Sequence, residues 1–156
     1  MTKLSANNIK KILIGIGIIA ASITAHLTYK EATVTNTGLP NIPDSIALVN
    51  IKITAEKVYE PCRNHFKHAI YIGSFYRSEM VNRAVGGQRF SQHVKGEAMD
   101  MDADRWGGLT NQDLYNFIRD SLIFDQLIME GGPNGWVHVS YSSKRNRHQA
   151  FYINKP

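Results

Sequence analysis

A chain of 156 residues is long enough for one domain with a real core and too short for two ordinary ones. Its 43% hydrophobic and 20% charged content is that of a globular protein and excludes wholesale disorder. The net charge of +5 sits mostly in residues 1–30, where Lys3, Lys10, Lys11 and Lys30 meet no acid, so the near-neutral remainder argues against a nucleic-acid partner.

The chain opens with Lys10-Lys11 ahead of an uncharged Ile-, Gly- and Ala-rich run over residues 12–25. A basic start followed by an apolar core and small residues reads as an export signal or a membrane anchor, with the domain proper over residues 26–156. The run is shorter than the roughly 20 residues that span a bilayer comfortably. The expected location is therefore the periplasm or cell envelope, with membrane association through residues 12–25. Turn signals follow at Asn36-Thr-Gly38, Pro40 and Pro43. Asp44 can cap a helix whose apolar face is Leu48, Ile51, Ala55, Val58 and Cys62, with Pro61 predicted to kink or restart it. Cys62, the single cysteine, excludes a disulfide framework and reads as a small buried hydrophobe. His65 and His68 near the helix end suit a solvated or dipole-capping role.

Ala69–Gly73 reads as a short strand, followed by a polar loop through Arg77, Asn82 and Gly86-Gly87. Glu97–Ala103 reads as a second strand with Ala98, Asp100 and Asp102 on one face. Thr110 and Asp113 form a capping box for a helix that buries Leu114, Phe117, Ile118 and Leu122, with Leu109 stapled to Leu114. Phe124–Glu130 and Trp136–Tyr141 flank the loop Gly131–Gly135 as a hairpin. The basic stretch Lys144–His148 lacks interleaved aromatics and reads as a solvated loop before a last strand, Gln149–Ile153. The predicted fold is a single α+β domain, a mainly antiparallel sheet flanked by helices.

The chemistry lies in His93, Asp100 and His138. Two imidazoles and a carboxylate suit one catalytic zinc ion with a coordination position left for water. Asp102 and Asp104 are rival ligands by proximity, and Asp102 shares the strand face of Asp100. If Glu130 pairs opposite Trp136, Ile128 falls opposite His138 and Glu130 becomes a diagonal neighbour of His138, roughly 7–8 Å away between backbones. A carboxylate there can exchange protons with a zinc-activated water. One residue of slip would turn Glu130 to the other face.

Ser91-x-His93-x-x-Gly96-x-Ala98-x-Asp100 with Trp136-x-His138 resembles the zinc D-Ala-D-Ala carboxypeptidase and L-Ala-D-Glu endopeptidase family, especially its small phage and bacterial members. The likeness includes Tyr76-Arg77-Ser78, Asn82–Gly87 and Phe124–Ile128, and runs from about His26 to Tyr141. It implies zinc on His93, Asp100 and His138, Glu130 as general base, and Arg77 as a substrate-binding or oxyanion-stabilising group. Gln92 would line the site, and Gly96 would form the turn carrying His93 towards Asp100. Two departures stand out. Many relatives place the catalytic glutamate three residues before the last histidine, where this chain has Gly135. Phe75 replaces a glycine that relatives often carry before Tyr-Arg, which is expected to reshape the cleft.

The expected function is a zinc-dependent hydrolase of peptidoglycan stem peptides or cross-links, a D,D-carboxypeptidase or an endopeptidase, in one form a phage lysis enzyme. The alternative is a non-catalytic cell-wall-binding or virion module keeping the same fold and metal site. Oligomeric state leaves no trace in the sequence.

Overall fold

Thr28 opens the short helix α1 (Tyr29–Ala32) with a full capping box to Glu31 in the computed structural model, which describes residues 22–132 and 135–153. Most of the apolar run at 12–25 thus lies outside the described residues. No helix among the described residues is long and apolar enough to cross a membrane. Asp44 caps α2 (Ser45–Thr54) as predicted, its carboxylate accepting from the Ala47 N–H at 2.7 Å. The helix continues through a π-helical stretch, Ala55–Tyr59, into α3 (Glu60–Phe66). Pro61 accounts for the irregularity, since it has no N–H to donate and its ring crowds the carbonyl four residues back. The Glu60 N–H bonds instead to the Ala55 carbonyl, five residues back.

Strand β1 (Tyr71–Ser74) follows. The stretch after Arg77 was expected to be loop and is not. Ser78 caps a helix, α4 (Glu79–Ala84), with its hydroxyl accepting from Val81 N–H. A one-turn 3-10 helix, Gln92–Lys95, leads into β2 (Ala98–Asp102). The predicted capping box of Thr110 and Asp113 starts α5 (Asn111–Ser121), and Leu109 and Leu114 both enter the core. The remaining strands are β3 (Gln126–Glu130), β4 (Trp136–Ser140) and β5 (Gln149–Ile153).

The strands form a five-stranded sheet in the order β1-β2-β4-β3-β5. Every neighbouring pair is antiparallel except β3 and β5. Alternation along the strands gives the sheet two unlike faces. Met99 and Met101, Val137 and Val139, and Leu127 and Met129 join the core with Ile51, Val58, Tyr59, Leu114 and Ile118 from the helices. Burying each such side chain contributes about 1.5–3 kcal/mol. Cys62 is fully buried in this layer, which pushes its thiol up to about 12 and leaves it an inert packing group. The opposite face carries Asp100, His138 and Glu130.

Candidate metal centre

The turn before β2 carries His93, and three neighbours fix it. Ser91 Oγ accepts from the His93 N–H at 3.3 Å and opens the 3-10 turn. Gly96 closes that turn at φ 73°, where a Cβ would stand 2.6 Å from the Ala47 carbonyl oxygen and 2.8 Å from Ile51 Cγ1. Only glycine lets the turn lie this close to α2. Thr54 on α2 then donates its hydroxyl to the Gly96 carbonyl at 3.2 Å, and Asn50 donates its amide to the Lys95 carbonyl at 2.9 Å.

The His93 ring is buried, with Nδ1 2.6 Å from the Phe75 carbonyl oxygen. A carbonyl can only accept, so Nδ1 carries the hydrogen and Nε2 offers its lone pair inward. Sequence reasoning missed this partner, because a main-chain oxygen leaves no signature in a side-chain pattern. Phe75 does not line the cleft. Its ring is fully buried in the core, and its contribution to the site is the carbonyl.

Asp100 on β2 pairs directly across from His138 on the neighbouring β4, so the two side chains share a face. His93 Nε2, His138 Nδ1 and Asp100 Oδ1 converge, separated by 3.3 Å, 3.2 Å and 2.8 Å for the His–His, His93–Asp and His138–Asp pairs. Ligand atoms 2.0–2.1 Å from a tetrahedral zinc stand about 3.3 Å apart, so the donor set fits that ion. Burial alone would raise the Asp100 carboxyl, but the two histidines hold it well below the usual carboxylate range. A carboxylate and an imidazole lone pair directed at one buried point call for a cation between them. No other His, Cys, Asp or Glu group among the described residues converges in this way.

Other candidates are employed elsewhere. Asp102 Oδ1 accepts from Asp104 N–H at 3.1 Å, and Asp104 Oδ1 accepts from Asn111 N–H at 3.2 Å, so the rival carboxylates organise the turn into α5. His65 stacks on Phe117 with ring centroids 4.0 Å apart, and His68 Nδ1 lies 2.8 Å from the Ala69 carbonyl. Arg77 Nη2 donates to Asp100 Oδ2, Arg77 Nε donates to Ser74 Oγ at 2.8 Å, and the Arg77 backbone N–H donates to the His93 carbonyl at 3.1 Å. The guanidinium thus holds the carboxylate oxygen that the histidines do not face.

The hairpin register is the one assumed from sequence, with Glu130 opposite Trp136 and Ile128 opposite His138. Glu130 is therefore on the site face, diagonal to His138. Gly135 explains the departure from the more common pattern, because a Cβ there would lie 1.6 Å from the Glu130 carbonyl oxygen. No side chain fits at position 135 of this hairpin. Asn111 braces the loop by donating its amide to the Gly135 carbonyl at 2.9 Å.

Gln92 and His138 both line a groove of about 560 Å³. Asp125 and Arg147 form a two-pronged ion pair at its rim, with Nε to Oδ1 at 2.8 Å and Nη2 to Oδ2 at 2.5 Å. Hydrogen bonds from Arg147 hold the buried Asp125 carboxyl below its ordinary value, against the opposing effect of burial. Asp125→Asn is expected to lower stability by about 1–3 kcal/mol at neutral pH. A carboxyl depressed in the fold stabilises only while ionised, so the loss should be full above the unfolded value of about 3.9 and vanish as pH falls through the lower folded value. Urea unfolding of both proteins at pH 7 and pH 3 checks this, and an equal gap at both would assign the effect to packing instead.

Residues 25–140 match the profile of the family described as Peptidase M15. No curated protein matches the chain.

Proposed function

Because this chain belongs to the peptidase M15 family, we propose that it is a zinc metallopeptidase that hydrolyses amide bonds in the stem peptides or cross-links of peptidoglycan. The convergence of His93 Nε2, His138 Nδ1 and Asp100 Oδ1 beside an open groove carries the reading. Zinc held by these residues would polarise the scissile carbonyl and lower the pKa of a water to roughly 7.

The remaining work belongs to the protein. Phe75 fixes the His93 tautomer through its carbonyl. Arg77 neutralises the far oxygen of Asp100 and steadies negative charge that develops on the substrate carbonyl. Glu130 accepts a proton from the attacking water on its carboxylate and returns it to the leaving nitrogen. Gln92 binds substrate beside His138. We place the enzyme in the cell envelope, delivered there by the apolar run at residues 12–25.

The test is digestion of purified peptidoglycan by the full chain, with zinc and with a chelator, reading the products by mass. Zinc-dependent release of free D-Ala identifies a carboxypeptidase, and cut stem peptides or cross-links identify an endopeptidase. Binding to the wall without any product from zinc-loaded protein would overturn the enzyme in favour of a wall-binding module.

A further inference from the structure

We infer that Arg145 and Lys95 form a carboxylate-binding subsite that selects stem peptides bearing a free carboxylate near the scissile bond, an inference that rests on the peptidase reading above. The groove that the metal ligand His138 helps to line also carries Lys95, Arg145 and Arg147 together with Glu97 and Asp125. Asp125 is neutralised by Arg147. Two cations then face one acid. Among the described residues neither Lys95 nor Arg145 forms an ion pair, while Glu97 Oε1 accepts from Ser142 Oγ at 3.4 Å.

The loop that presents Arg145 is anchored on either side of it. Asn146 Nδ2 donates to the Ser142 carbonyl at 2.8 Å, and Asn146 Oδ1 accepts from Ser142 N–H at 3.0 Å. Arg147 is tied to Asp125 through its side chain and its backbone N–H. A guanidinium on a braced loop loses little freedom on binding, and its planar fork matches a carboxylate. The side of the site reached through β1 has no Lys or Arg in its lining. A pocket of about 270 Å³ there is lined by Asp100 and Asp102 with Tyr71, Ser74 and Trp136. An anionic group flanking the reacting amide is therefore held on the Arg145 side.

The test uses synthetic stem pentapeptides whose glutamyl α-carboxylate and C-terminal carboxylate are each either free or amidated, four forms in all. The zinc-loaded full chain is expected to favour one acid over its amide by about tenfold, chiefly through KM, as one charge-assisted contact supplies. Arg145→Gln and Lys95→Gln should each erode that preference, their combination should abolish it, and Arg145→Lys should keep part of it. Equal turnover of acids and amides by the unaltered protein, or a preference that survives the double variant, overturns the subsite. A chain that cleaves none of the four peptides but digests peptidoglycan acts on cross-links, and one that cleaves neither refutes the peptidase reading instead. Calorimetric affinities for the acid and amide forms then decide the subsite alone, equal values overturning it.

Discussion

Glu130→Gln is expected to lower hydrolysis by about 10²–10⁴-fold, the usual contribution of a positioned general base. The amide is nearly isosteric, so strand pairing at the end of β3 and the metal ligands on β2 and β4 should be undisturbed. The variant should therefore bind zinc at unchanged stoichiometry and unfold at an unchanged temperature. The effect should fall on kcat, because the carboxylate acts on the proton of the attacking water and not on peptide binding. Metal analysis alongside steady-state kinetics separates the cases. Near-normal turnover would remove Glu130 from the mechanism and require another proton acceptor on this face.

The second large effect belongs to the ligands. His138→Ala should reduce zinc affinity by more than the 10–100-fold typical of a supporting partner, and activity should fall with it. His138 is mostly buried and loses its contact with Asp100 but none with the main chain, so its folding cost should be the smaller of the two ligand variants. His93→Ala should differ. It removes the donor of the Phe75 carbonyl inside the core, which should add a stability loss of about 1–3 kcal/mol. Titration of both variants with zinc, with unfolding followed in a chelator, distinguishes them. Full zinc binding by His138→Ala would place the ion elsewhere.

What could be read in the sequence was whatever is encoded locally. Asp44, the Thr110–Asp113 capping box and Pro61 act within a few residues of themselves, and each does what its chemistry predicts. The hairpin register was legible because the alternation on both strands and the length of the loop constrain it together. Asp100 and His138 could be nominated as ligands because their side chains carry the chemistry. Their direct pairing across β2 and β4 is a long-range fact that only the folded sheet supplies. Helix α4 was missed because its six residues lack apolar periodicity. The parallel docking of β5 against β3 was not legible either. Its residues are exposed, so no inward-facing pattern marks its partner or direction. Arg147 and Asp125 meet from residues 22 apart, with nothing local to join them.

The contact at Gly135 bears on how such sites can diverge. With a Cβ only 1.6 Å from the Glu130 carbonyl oxygen, the hairpin cannot accept an acid at 135 while Glu130 keeps its place. Moving a carboxylate from one position to the other is therefore not a matter of exchanging two side chains. The loop has to be respaced first. Arrangements with the acid three residues or eight residues before the last histidine are separated by a steric barrier, and lineages that hold one should rarely drift into the other through single substitutions.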